Sequence, residues 1–190
     1  MFSKTVRRIW HFLWKEDSLL SWLVTIVLAF FLVKFAIYPV LGLLLGTPLP
    51  VVAVVSGSME HNSQGFEIWW ENNGKWYEKE GITKEEFKGY SFKNGFNKGD
   101  IIVLTGSKNI KRGEVIVYMK QEDTRTIPII HRVVAKNPQT TKGDNNPSPD
   151  KERVSPENIV GKARLKVPFL GWVKISAVMA LQKLGIGKGI

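Results

Sequence analysis

The stretch LLSWLVTIVLAFFLVKFAIYPVLGLLL, residues 19–45, carries Lys34 as its single charge. A helix crossing a bilayer needs about 20 apolar residues, and Leu19 to Tyr38 supplies them. Pro39 has no N–H to donate and is expected to end the helix, so the anchor is drawn over residues 18–39. Lys34 would lie about 24 Å along the helix from Ser18, near enough to the far interface for its amine to reach water. So long an apolar run is hard to hide in so small a domain, which argues against a buried globular helix. It is also long for the core of a cleavable leader, and no Ala-x-Ala site follows it. A retained anchor is therefore expected.

Charge on either side orients this segment. Lys4, Arg7, Arg8 and Lys15 precede it, and no Lys or Arg occurs from Phe35 to Gly74. The positive-inside rule places the N-terminus in the cytoplasm and the following chain outside. Within residues 1–17, Val6, Ile9, Trp10, Leu13 and Trp14 recur at helical spacing among basic residues. Two readings stand: an amphipathic helix on the inner interface, and a frayed cationic tail.

Beyond Pro50 the texture changes to short β-branched runs. Val51 to Val55, Ile101 to Leu104, Glu114 to Met119, Ile127 to Ala135 and Ile159 to Val167 alternate with turn residues such as Lys98-Gly99-Asp100 and Lys111-Arg112-Gly113. This predicts a mainly β fold: an antiparallel, barrel-like or sandwiched domain over residues 48–168. Residues 61–94 interrupt it with Phe66, Trp69, Trp70, Trp76, Tyr77, Phe87, Tyr90 and Phe92. Thr83 and Glu86 match a capping box, so a small α-helical insertion is expected. Its aromatics would pack on the β domain or dip into the outer membrane interface. Residues 169–190 hold an apolar stretch, Phe169 to Leu184, broken by Lys174 and Lys183. It reads as an amphipathic, interfacial or packed helix, and a second span stays open.

The 190 residues carry no cysteine, which removes disulfides, thiolate zinc sites and cysteine catalysis. The three histidines, at 11, 61 and 131, argue against a multi-histidine metal site. No metal or organic cofactor is expected. The net charge of +10 suits an acidic partner, either nucleic acid or an anionic membrane surface. The orientation disfavours nucleic acid, because most basic residues would be extracytoplasmic.

Serine chemistry is the remaining nucleophilic option, and it needs a hydroxyl, a base within reach, an orienting acid and oxyanion donors. Ser56-Gly57-Ser58 ends the first β run, where Gly57 would permit a tight turn and close substrate approach. Taken alone, such a triplet is usually a loop. His131 lies within Ile129-Ile130-His131-Arg132-Val133-Val134, where a histidine is more often structural than catalytic. His61 competes as a base, although it follows Ser58 by only three residues, and His11 is on the wrong side of the membrane. Asp144 in Gly143-Asp144-Asn145-Asn146 and Asp150 in Pro149-Asp150-Lys151 would each be read singly as solvated turn residues.

Order makes the combination specific. An anchor precedes Ser56-Gly57-Ser58-Met59-Glu60. Then follow Lys98-Gly99-Asp100-Ile101-Ile102-Val103, His131-Arg132-Val133-Val134, and Lys142-Gly143-Asp144-Asn145-Asn146 with Asp150 six residues after Asp144. This series resembles the archaeal and endoplasmic-reticulum branch of signal peptidase I, over the anchor and most of the outer domain. The resemblance implies Ser58 as nucleophile and His131 as general base, where the bacterial branch carries lysine. It implies Asp150 as third catalytic residue and Asp144 as a required acid of catalytic or structural role. The Ser58 N–H and the Ser56 hydroxyl would face the oxyanion, with Gly57 beside them. Gly99, Asp100 and Gly143 belong to motifs expected to support the site. Two features depart from the family: His61 stands where proline is usual, and the insertion before Gly99-Asp100 is long.

The resemblance further implies a membrane-anchored serine endopeptidase that removes N-terminal signal peptides from exported preproteins. It would cut after small residues through an acyl-enzyme, at the cell membrane or an endoplasmic-reticulum-type membrane. Its partners would be preproteins, lipid and the protein-export channel. The rival from another class is a non-catalytic membrane-tethered β module that binds exported chains through the aromatic insertion.

Overall fold

The computed structural model describes residues 4–62, 65–106, 109–135 and 139–183. The chain divides into two compact units, residues 1–44 and 45–190.

The first unit is helical. Helix α1, Lys4–Lys15, carries exposed Val6, Ile9, Trp10 and Trp14, with the two tryptophan rings 5.3 Å apart. Of the two sequence readings for this segment, the helix is the one present. Helix α2, Leu19–Leu32, is capped by Ser18, whose hydroxyl accepts the Ser21 N–H at 3.2 Å. The Ser21 hydroxyl in turn donates to the Phe12 carbonyl, joining α1 to α2. The apolar helix does not stop at Pro39. It passes through a π turn, Val33–Ile37, into α3, Tyr38–Leu45. A proline inside a helix lacks one hydrogen bond and crowds the carbonyl four residues back. The π turn widens the backbone just before it: the Tyr38 N–H bonds the Val33 carbonyl, five residues back. The resulting helix, Leu19–Leu45, is 27 residues long and spans roughly 40 Å at 1.5 Å per residue, enough to cross a bilayer. Its large side chains, Leu19, Trp22, Ile26 and Phe35 among them, are exposed.

The second unit is built on six antiparallel strands: β1 (Val51–Ala53), β2 (Ile101–Thr105), β3 (Val115–Glu122), β4 (Arg125–Ala135), β5 (Thr140–Lys142) and β6 (Ile159–Val167). They lie in the order β1-β2-β6-β3-β4-β5. The expected mainly β, barrel-like domain is thus an open sheet, since β1 and β5 are its two edges, and the chain as a whole is of mixed helix and strand content. β5 escaped the sequence reading because Thr140-Thr141-Lys142 has no apolar run.

Strand alternation distributes side chains to two buried faces. Val115 and Val117 of β3 join Val54, Met59, Phe96, Ile102 and Leu104 in one cluster. Ile116 and Tyr118 join Ile110, Val133 and Val154 in another. The insertion forms helices α4 (Gly65–Lys79) and α5 (Lys84–Lys88), the latter capped by Thr83 as its capping box foretold. Phe66, Trp69, Trp70, Tyr77, Ile82 and Phe87 pack together and against Val134 of β4. Of the two fates open to these aromatics, core packing is the one observed. Helix α6, Trp172–Lys183, ends the described chain, and residues 184–190 of the C-terminal segment lie outside the described residues.

Candidate active site

Ser58 sits in the turn that follows β1, where the Glu60 N–H donates to the Gly57 carbonyl at 3.1 Å. Neighbouring segments hold this turn. Met59 is fully buried, its carbonyl accepts the Phe96 N–H at 2.9 Å, and its sulfur accepts the Asp144 N–H at 3.4 Å. Asn145 clamps the two preceding carbonyls. Its backbone N–H donates to Ser58 O at 2.8 Å and its side-chain amide to Gly57 O at 3.1 Å. Two glycines allow the approach. Gly95 lies at φ +65°, and a Cβ there would strike the Met59 carbonyl. A Cβ on Gly143 would come within 2.7 Å of Ser58 O. Gly57 itself is outside the left-handed region, so close packing around the turn rests on Gly95 and Gly143 instead.

His131 reaches the turn from β4. It pairs in register with Ile116, and Val133 two residues on pairs with Thr141. Because i and i+2 share a face, His131, Tyr118 and Thr141 face the same side of the sheet. The His131 Nε2 lies 3.1 Å from Ser58 Oγ, and Nδ1 lies 2.7 Å from Asp150 Oδ2. An ionised carboxylate can only accept, so Nδ1 carries the proton and Nε2 presents its lone pair to the serine hydroxyl. Asp150 is positioned by its own N–H, which donates to the Thr141 carbonyl at 2.8 Å. The same Oδ2 also accepts from Thr141 Oγ1 at 2.6 Å and Tyr118 Oη at 3.0 Å. Burial would raise the Asp150 pKa, but the hydrogen bond and charge of His131, with the Thr141 and Tyr118 donors, hold it below the usual value. Burial pushes the Tyr118 phenol upward, keeping it a donor. Ser56 Oγ lies 3.3 Å from Ser58 Oγ on the exposed side.

Asp144 does not join this group. It belongs to a second, fully buried cluster on the opposite face of β4, led by Arg132, which pairs in register with Lys142. The guanidinium grips Asp144 in bidentate fashion, Nε to Oδ1 at 2.9 Å and Nη2 to Oδ2 at 2.8 Å. Its remaining donors go to the carbonyls of Ser91, Phe92 and Gly113. Every N–H of the arginine is thus satisfied, which a fully buried guanidinium requires. Burial would raise Asp144, yet the Arg132 charge and the bonds from His61 and Arg132 hold it well below the carboxylate range.

His61, the competing base, is also here rather than at Ser58. It is 3% exposed, stacks on Trp69 at 3.8 Å with the rings parallel, and bonds Asp144 through Nε2 at 3.1 Å. Burial lowers its pKa despite the neighbouring carboxylate, so the ring is a neutral structural donor. Lys142 completes the cluster, its amine over the Trp76 and Tyr77 rings and bonded to the carbonyls of Gly143 and Asp144. Burial pulls its pKa down to about 8.

Asp100 and Gly99 lie in the turn before β2. Asp100 is buried, with Oδ2 accepting the Asn97 N–H at 2.9 Å and Oδ1 the Phe169 N–H at 3.4 Å. Gly99 lies at φ +91°, and a Cβ there would strike the Trp172 ring. The structure therefore brings Ser58, His131 and Asp150 together, with Ser56 beside them, and places Asp144 on Arg132, Gly143 against the Ser58 carbonyl, and Gly99 and Asp100 in the turn before β2. Sequence reasoning missed Tyr118, Thr141, Arg132 and Asn145. Arg132 stands beside His131 on the opposite strand face, but its partner is set by the pairing of β4 with β5; Tyr118 left no local signal.

Such a hydroxyl–imidazole–carboxylate chain can deprotonate a serine for attack on a carbonyl. No family model matches the chain. It is similar to the signal peptidase complex catalytic subunit SEC11 of Fusarium vanettenii, 31% identical over 159 residues that cover 74% of this chain and 71% of that protein. The SEC11 subunit of Candida tropicalis is 26% identical over 156 residues, covering 74% and 73%. The SEC11C subunit of Homo sapiens is 28% identical over 148 residues, covering 70% of this chain and 59% of its own length.

Proposed function

The chain belongs to the family of signal peptidase complex catalytic subunits, and from that premise we propose that Ser58, His131 and Asp150 perform its chemistry. The activity is that of a serine endopeptidase which removes signal peptides, held in the membrane by the helix Leu19–Leu45. The observation that carries the residue assignment is the pair of contacts on one imidazole, 3.1 Å to the Ser58 hydroxyl and 2.7 Å to the Asp150 carboxylate.

The steps follow from these contacts. His131 Nε2 takes the Ser58 proton as Oγ attacks the scissile carbonyl. Asp150 stabilises the imidazolium through Nδ1–H, and does so as an anion because three donors converge on it. The protonated Nε2 then gives its proton to the leaving amine. The acyl-enzyme is released by water that His131 deprotonates in the second half. The Ser58 N–H and Ser56 hydroxyl are the proposed oxyanion donors. Asp144 is assigned a supporting role: paired with Arg132, it anchors the 143–146 loop that bears on the nucleophile turn. The substrate's cleavage region is proposed to lie extended beside edge strand β1, with small residues at the first and third positions before the cut. The N-terminus is cytoplasmic in this reading. Companion subunits of a complex and the export channel are its proposed partners.

Ser58→Ala in membranes given a preprotein with a cleavable signal tests the assignment. Processing is expected to fall to background, a loss on the order of 10⁴-fold or more. Retained processing by the purified variant would remove Ser58 as nucleophile.

A further inference from the structure

We propose that Asn145 is a positioning residue for the oxyanion site, acting through the Gly57–Ser58 peptide; the proposal rests on Ser58 being the nucleophile. In a trans peptide the C=O and the following N–H point to opposite sides. The Gly57 carbonyl is held by two donors, the Asn145 side-chain amide at 3.1 Å and the Glu60 N–H at 3.1 Å. That fixes the plane of the 57–58 peptide and turns the Ser58 N–H away from Asn145. Among the described residues this N–H donates to no protein acceptor. The next carbonyl, Ser58 O, is held to the Asn145 backbone N–H at 2.8 Å, so the turn is gripped on both sides of the nucleophile by one residue.

The two grips differ in what they depend on. The backbone bond survives any substitution at 145. The bond to Gly57 O depends on a side-chain amide donor. Asn145 is itself exposed, and the two residues before it, Gly143 and Asp144, are buried, the latter held by Arg132. Removing its amide therefore leaves the Gly57 carbonyl to the Glu60 N–H alone and loosens the peptide plane without unfolding the loop. Since an oxyanion forms only as the tetrahedral intermediate develops, a rocking donor costs transition-state binding and leaves ground-state binding alone.

The experiment uses the full-length protein in lipid vesicles with a signal-peptide substrate, comparing Asn145→Ala and Asn145→Asp with the unaltered chain. Asp keeps the shape and lacks the donor. A drop in kcat of roughly 10–100-fold is expected in both, with KM and the thermal midpoint held. Affinity for a peptide aldehyde, which forms a tetrahedral adduct on serine, should fall by the same factor, while affinity for an uncleavable ground-state peptide stays. Unchanged kcat, a parallel loss of ground-state affinity, or full activity in the Asp variant would each overturn the proposal. Ser58→Ala is run alongside. If it stays active, the nucleophile assignment fails and this inference with it. If it is inactive while Asn145→Ala matches the unaltered chain, only the inference fails.

Discussion

Asp150 receives three donors on one carboxylate oxygen, from His131, Thr141 and Tyr118. In the proposed mechanism that carboxylate is an anion aimed at Nδ1, and its donors serve both its charge and its aim. Thr141→Val removes the shortest of them with little change of shape. The Asp150 pKa then rises toward its ordinary value and the carboxylate loses a fixed partner, so kcat/KM at neutral pH is expected to fall about tenfold or less. An unchanged kcat/KM would show that Thr141 contributes nothing to holding the carboxylate. On the opposite face Lys142 makes a stability prediction. Burial brings its folded pKa to about 8, below the ordinary lysine value of roughly 10.4. Between these values the unfolded chain binds a proton that the folded chain lacks, so stability rises with pH across that window. Burial drives Tyr77, Tyr90 and Tyr118 upward, and they act in the opposite sense above about pH 10. Denaturation midpoints are expected to climb from about pH 8 to about pH 10, and Lys142→Met should flatten that climb.

At the scale of elements, the insertion is a second core attached to β4. α4 and α5 supply Phe66, Trp69, Trp70, Tyr77 and Phe87, and β4 supplies Val134 beside Arg132. The Arg132 guanidinium lies 4.7 Å from the Phe87 ring centre, and Trp69 covers His61. The insertion thus removes water from the ion pair that holds the 143–146 loop. Truncating Trp69, which is 2% exposed, leaves a large cavity beside that pair. Trp69→Ala is expected to cost about 3–5 kcal/mol, read by chemical denaturation in detergent. A cost under 1 kcal/mol would mean that the insertion is only an appendage. The edge strands differ in their surroundings: residues 150 and 154 bond back to Thr141 and Gln139 alongside β5, whereas β1 leads straight into the nucleophile turn.

For the whole molecule, membrane residence and charge belong together. Lys4, Arg7, Arg8 and Lys15 precede the continuous apolar helix Leu19–Leu45, and no Lys or Arg follows it before Lys75. Replacing Lys4, Arg7, Arg8 and Lys15 with Glu removes the positive-inside bias. Protease protection in sealed vesicles is expected to show a large share of the molecules inverted. Preprotein processing by intact vesicles should fall in proportion, and detergent-solubilised activity should persist. Unchanged protection would show that another feature sets the orientation.

Much of this was legible in the residues because it depends on local energies. An apolar run of 27 residues declares a membrane-length helix wherever it folds, and β-branched alternation marked five of the six strands. The family resemblance carried by the order of short motifs singled out Ser58 and His131, and the fold brings their side chains to 3.1 Å. The rest required the chain to close on itself. Asp144 and Asp150 sit six residues apart in similar turns, and nothing local ranks them. The pairing of β4 with β5 decides which partner each one meets, because His131 and Thr141 fall on one face while Arg132 and Lys142 fall on the other. Each acid then takes the partner that its face presents, an imidazole for Asp150 and a guanidinium for Asp144.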